Sequence, residues 1–186
     1  KAVAALDAGY DSALIDCSKK SSKDNISETC RVVAEARAKH PEVSIEGELG
    51  YLVTESSKIY KEAVLIPPES LTDPAEARLF VEETGVDRFA PAVGNLHGIS
   101  ANMPQLDFER IAAIRSALPA NITLVLHGGS GIPDDQMRRA IELGFNNIHV
   151  STEIRVAYTD ALRKALRDSP EETTPYKLYQ PVIEAV

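Results

Sequence analysis

Two histidines in this sequence stand directly before a glycine: His97 in Gly94-Asn95-Leu96-His97-Gly98, and His127 in His127-Gly128-Gly129-Ser130-Gly131. Imidazole is a good ligand for a borderline cation such as Zn²⁺, and two rings at the ends of neighbouring strands can converge on one ion. For either ring alone the plain alternative is a hydrogen-bonded core histidine, but the paired placement favours the ligand reading. Two His do not complete a catalytic zinc site, which usually takes three protein ligands and an open position. Asp16 and Glu48 close two further strand-like runs. They are candidates for orienting the ligands, for holding the cation beside the two His, or for a second cation, a monovalent one included. Simple pairing with a surface lysine is the alternative.

Anion chemistry has its own candidates. Gly128-Gly129-Ser130-Gly131, followed by Pro133 as a helix opener, can turn backbone N–H groups toward an anion at a helix N-terminus. Ser151 and Thr152 add hydroxyls at the start of another helix, and barrels often hold phosphate after their last two strands. A mere tight turn is the competing reading for the glycines. Glu55, in a long connection, is a candidate proton donor or acceptor carried in on loop closure, against a solvated carboxylate. Cys17 reads as a small strand-end filler, His40 as a solvated residue before Pro41, and Ile111, Ile114 and Leu118 as a helix core face.

These residues need a scaffold, and the chain alternates strand-like with helix-like stretches. The strand expectations are 12–16, 43–49, 88–93, 123–126 and 147–150. Helical patterns cover about 24–39, 74–84, 107–117, 134–143 and 153–167. Asp73-Pro74 with Glu76 is a helix start, and Gly85 and Gly144 are helix stops. Strict β–α alternation predicts a parallel sheet or barrel, and the expectation is α/β with five strands forming one domain, 1–186. Residues 51–72 read as a long active-site loop, and 168–181 as a polar link to a terminal helix from about Gln180, within 176–186. Lys1 falls inside a helical pattern with no cap, so the numbering reads as the remainder of a longer protein.

Five predicted strands thus deliver titratable groups to one rim, the edge that carries the active site in parallel β/α folds. The composition agrees with an enzyme of small molecules. With 186 residues, 20 Lys+Arg against 28 Asp+Glu and a net charge of −8, the chain lacks the basic face that nucleic acid requires. No apolar run approaches the roughly 20 residues of a membrane span, so no membrane partner is expected. The two cysteines, Cys17 and Cys30, make no disulfide framework, which suggests a reducing, cytoplasmic setting.

At these residues the chain resembles the class II, metal-dependent fructose-bisphosphate/tagatose-bisphosphate aldolase family. The matching stretches are SALIDCS, DNISETCRVVAEAR, EGELG, TDPAEARLFVEETGVDRFAPAVGNLHG, LVLHGGSGIP and HVSTEIRVAY, in family order. The resemblance implies a (β/α)8 TIM barrel of which this chain supplies about five β/α units. It implies aldol cleavage or condensation of a ketose (bis)phosphate in carbohydrate metabolism. A divalent cation, usually Zn²⁺, would polarise the carbonyl and stabilise a dihydroxyacetone-phosphate-type enediolate.

By position His97 and His127 correspond to metal-binding His, and Asp16 and Glu48 to carboxylates near the metal, Glu48 as a metal ligand and Asp16, with Glu55, as a catalytic residue. Gly98, Gly128, Ser130, Ser151 and Thr152 correspond to phosphate-binding positions, with Gly129 in the same turn, and Glu55 falls close to the loop acid. His149 stands where the family has a substrate-binding Asn, and Ile99-Ser100-Ala101 lacks the family's phosphate-holding Lys. The third metal His and the neighbouring acid/base Asp belong to an earlier strand, expected before Lys1. A homo-oligomer, dimer or tetramer, is expected. A related lyase with a non-phosphorylated or sulfonated substrate, and a non-catalytic sugar-phosphate-binding subunit, are the alternatives.

Overall fold

A computed structural model describes residues 1–102 and 105–186. In chain order the elements are α1 (Ala2–Asp7), β1 (Ser12–Ile15), α2 (Ser22–Lys39), β2 (Ser44–Leu49), β3 (Ile59–Tyr60), a single 3-10 turn at Pro68–Ser70, α3 (Pro74–Thr84), β4 (Arg88–Pro91), β5 (Ile99–Ser100), α4 (Phe108–Ala117), β6 (Thr123–Leu126), α5 (Asp134–Glu142), β7 (Phe145–Ile148), α6 (Thr152–Asp168) and α7 (Pro175–Ala185). The main sheet has five strands in the order β1-β2-β4-β6-β7. Every pair is parallel, with an α-helix between successive strands. This is the α/β arrangement the alternation predicted, five consecutive strands of the barrel type.

Local chemistry explains the boundaries. Asp73 Oδ1 accepts from the N–H groups of Ala75 and Glu76 at 2.8 and 3.2 Å, capping α3 as its Asp-Pro start predicts. Gly85 ends that helix in the left-handed conformation, φ +67°. The core lies between the sheet and its helices, where Phe80, Phe89, Phe145, Ile45, Ile111, Ile114, Leu124 and Leu126 are fully buried. The stripe Ile111, Ile114 and Leu118 is part of it.

Strand β2 shows how the core orients the chemistry. Side chains alternate faces along a strand. At Gly47 an added Cβ would lie 2.8 Å from the Phe80 ring, so this face of β2 is pressed against α3. Glu46 and Glu48 therefore point to the opposite face of the sheet.

Several expectations shift. The 51–72 connection contains β3, paired in parallel with β5, and the 3-10 turn. The last strand is Phe145–Ile148 rather than 147–150, since its pairing with β6 begins at Leu124–Phe145, and the register slips between Leu124 and Val125. The terminal helix starts at Pro175, not Gln180: the Thr174-Pro175 pair supplies a first-turn proline whose missing N–H costs the helix nothing. Pro181 is accommodated inside it. Among the described residues no helix is long and apolar enough to cross a membrane.

Candidate metal centre and active site

Because the five strands are parallel, their C-terminal ends open on one rim. A cavity of about 260 Å³ there is lined by Leu14, Asp16, Glu48, Ser56, His97, Gly98, His127, Gly128, Ser130, His149, Ser151 and Thr152. An adjoining one of about 660 Å³ shares Asp16, Glu48 and His97, and adds Glu55, Lys19 and Lys58. Of the residues singled out from the sequence for metal, anion or proton chemistry, all but Gly129 and Gly131 line one of the two.

The two His segments are held together by backbone contacts. Asn95, 1% exposed, donates from Nδ2 to the His127 carbonyl at 2.9 Å and accepts the Val93 N–H on Oδ1 at 2.8 Å. Gly128, at φ +63°, lies so close that an added Cβ would sit 1.9 Å from the Leu96 carbonyl oxygen. Only glycine combines that conformation with that approach. The resulting ring-centre distance between His97 and His127 is 6.0 Å, and His149 stacks on the other side of His127 at 4.8 Å.

His127 is the electrostatic centre. Its Nε2 lies 2.7 Å from Glu46 Oε1 and its Nδ1 3.3 Å from Glu48 Oε2. Burial by itself would push this imidazole down, but the two carboxylates outweigh burial and raise it to about 9. His97 moves the other way, because burial exceeds the pull of Glu48 and holds it below the usual histidine range. His149 is also lowered, by burial and by the charge on His127. A cation takes the neutral imidazole, so it would find the lone pair of His97 free and would displace the extra proton from His127.

The donor set fits a divalent cation. Two imidazoles and a carboxylate form the mixed N/O set that Zn²⁺ accepts. Donors bound at about 2.0–2.1 Å around a tetrahedral ion lie roughly 3.3–3.5 Å from one another. The Nδ1–Glu48 separation of 3.3 Å has that spacing. Glu46, His127 and His149 also bring one ligand atom each within 4.8 Å of the others. There Glu46 Oε1 and His127 Nε2 are in direct hydrogen-bond contact at 2.7 Å.

The anion side is partly engaged within the protein. Ser130 Oγ accepts the N–H groups of Ser151 and Glu153 at 3.2 and 3.3 Å. Gly131 N–H donates to Glu153 Oε1 at 2.7 Å, and Gly129 N–H to the His149 carbonyl at 2.9 Å. Gly129 thus spends its amide on the link between β6 and β7 and does not face the cavity. Thr152 Oγ1 accepts the Ser57 N–H at 3.2 Å, and Arg155 Nη1 donates to Ser57 Oγ at 2.6 Å, which fastens the long loop to the start of α6. On that loop Glu55 pairs with Lys58, whose ammonium holds the Glu55 carboxyl below the usual carboxylate range. Asp16 Oδ1 accepts from Ser18 N–H and Oγ–H at 3.0 and 2.6 Å.

Three residues of the site were given no role by the sequence reading, although it placed Glu46 at the rim end of its strand. Glu46 meets His127, Asn95 joins the two His segments, and buried Asn25 donates from Nδ2 to the Glu48 carbonyl at 2.9 Å. Glu46 carried a usable signal, its place two residues before Glu48 on the same strand face; the asparagines carried none. His40 is half-buried rather than solvated, with Nε2 2.8 Å from Asp7 Oδ1. Cys17 is half-buried against the core, and burial pushes its thiol up.

Comparison with known proteins gives one answer. Residues 1–186 match the family described as fructose-bisphosphate aldolase class-II. The fructose-bisphosphate aldolase of Geobacillus stearothermophilus is 39% identical over 186 residues, which is 100% of this chain and 62% of that protein. That of Staphylococcus aureus (strain Mu50) is 36% identical over 182 residues, 98% of this chain and 60% of that protein. The chain thus spans about 60% of the length of these relatives. Among solved structures, the YdjI aldolase of Escherichia coli K12 superposes with a TM-score of 0.75 at 32% identity, over 97% of this chain and 58% of that one. The Campylobacter jejuni fructose-bisphosphate aldolase shares the fold, with a TM-score of 0.71 at 22% identity over 99% of this chain and 59% of that one. With the whole length matched and the rim built as described, the chain belongs to the class-II fructose-bisphosphate aldolase family.

Proposed function

We propose that this chain carries the metal-binding and anion-binding rim of an aldolase that cleaves and forms a carbon–carbon bond in a ketose (bis)phosphate. The observation that carries the reading is the pair of imidazoles of His97 and His127, ring centres 6.0 Å apart, in one cavity with Glu48, Ser130 and Thr152. His97, His127 and Glu48 would hold Zn²⁺ or another divalent cation. Such an ion would supply Lewis-acid polarisation of the substrate carbonyl. Ser130, Ser151, Thr152, Gly98 and Gly128 bind and orient the phosphate, and His149, at the place of the family's Asn, faces the substrate carbons. Glu55, which Lys58 keeps ionised and which lines the larger cavity, would take a proton when its loop covers the site. Asp16 is the second carboxylate facing the cavity and orients the substrate from β1. A cytoplasmic homo-oligomer is part of the same proposal, on family grounds.

A second reading has its own support. The Gly131 amide is already held by the Glu153 carboxylate, and no lysine follows Gly98. Both features weaken a phosphate grip and suit a non-phosphorylated or sulfonated ketose. One experiment separates the readings: aldol cleavage across a panel of phosphorylated, sulfonated and unmodified ketoses, before and after removal of metal by chelation. Chelator-sensitive cleavage, restored by Zn²⁺ and lost in His97→Asn, supports the metal mechanism, and the preferred substrate selects between the readings. Full activity after exhaustive metal removal refutes both.

A further inference from the structure

We propose that Glu46 is a positioning residue for His127: its carboxylate takes the Nε2–H of the imidazole, and so presents Nδ1 as the free lone pair on the Glu48 side of the ring. The proposal rests on the reading above, that His127 is a metal ligand. The two carboxylates around this ring differ in distance, and the difference divides their roles. Glu46 Oε1 to Nε2, at 2.7 Å, is a short hydrogen bond onto a carboxylate. Glu48 Oε2 to Nδ1, at 3.3 Å, leaves the separation of two donors around one cation. Glu46 is also only 5% exposed, and the His127 ring is the hydrogen-bond partner of its side chain among the described residues. A buried carboxylate without a donor is costly, so the pairing ties Glu46 to one nitrogen of this ring.

Strand geometry makes the assignment rigid. Glu46 lies on β2 between Ile45, which is fully buried, and Gly47, which is packed on Phe80, and it cannot turn away without displacing the core. A carboxylate that accepts from the far nitrogen of a ligating imidazole fixes its tautomer and ring orientation and raises its basicity. His149 stacks on the His127 ring, centres 4.8 Å apart and planes 20° apart, and so adds to the packing that holds the ring's orientation.

The test uses the metal-stripped protein reloaded with Zn²⁺, read by competition with a chelator and by ¹⁵N NMR of the His127 ring. The zinc-loaded wild type should show the proton on Nε2 and the metal on Nδ1. Glu46→Gln should bind Zn²⁺ about 10–100-fold more weakly, because an amide can donate as well as accept at Nε2 and no longer selects the tautomer. Glu46→Asp should recover part of the loss, and urea midpoints report whether either variant is folded. A proton on Nδ1 in the loaded wild type, or wild-type zinc affinity in a folded Glu46→Gln, overturns the proposal. The wild-type spectrum decides the matter even if the variants do not fold. Undiminished zinc binding by His127→Asn would instead refute the metal-centre reading beneath it.

Discussion

Replacing Gly128 with alanine probes the contact that brings the two His segments together. The new Cβ would lie 1.9 Å from the Leu96 carbonyl oxygen and 3.3 Å from the His97 nitrogen, whereas real Cβ contacts under 3.0 Å are essentially never seen. The clash is with backbone, so no rotamer relieves it, and the segments around His97 and His127 must part by roughly an ångström or more. Holding alanine in the left-handed region costs about 1–2 kcal/mol, and the forced shift adds about 1–3 kcal/mol. Gly85→Ala is the control, since φ there is +67° and nothing lies within 4 Å of the added carbon. Its cost should be the conformational part alone, about 1–2 kcal/mol. In urea denaturation the midpoint of Gly128→Ala should fall further than that of Gly85→Ala, with the slope m unchanged. Zinc affinity should drop in Gly128→Ala only. If the two alanines cost the same and both bind zinc like the wild type, the close approach does not set the His97–His127 geometry.

Further outcomes follow from other contacts. Gly47→Ala would press a Cβ to within 2.8 and 2.9 Å of the buried Phe80 ring and 3.1 Å of Val86 Cγ1; a loss of about 1–3 kcal/mol is expected in the same denaturation assay. Asn95→Ala strips the donor from the His127 carbonyl and the acceptor from the Val93 N–H, both buried. It should cost about 1–3 kcal/mol for each group left unpaired and weaken zinc binding by loosening His127, so a fully stable, zinc-tight variant would refute the account. Hydrogen bonds from the Thr174 hydroxyl, from Lys177 and from the Thr174 N–H together lower the Glu172 carboxyl to about 2. Because the folded value lies below the unfolded one, its contribution to holding the start of α7 is present above about pH 4.5 and is lost as pH falls toward 2. Protection of the α7 amides, taken relative to intrinsic exchange at each pH, should fall over that window in the wild type, and Glu172→Gln should remove that change.

Much of the scaffold was legible because its signals are local. The Asp73-Pro74 cap, the Gly85 stop and the β–α alternation each act within a few residues. The rim residues followed from position at strand ends. Two bounds shifted: β7 starts two residues earlier, where Phe145 pairs with Leu124 of β6, and α7 begins at a proline that looked like part of a linker.

Residue types and their order along the chain were enough to name His97, His127 and Glu48 as neighbours on one edge. The role of Glu46 was not readable in the same way. The ladder pairs Glu46 with Arg88 and Arg88 with Thr123, four residues short of His127. Residue counting along the ladder therefore never brings the two together. Their 2.7 Å contact spans 81 residues of sequence and arises from the tilt and stagger of strands in a barrel-type sheet, a property of the assembled sheet that no single segment encodes.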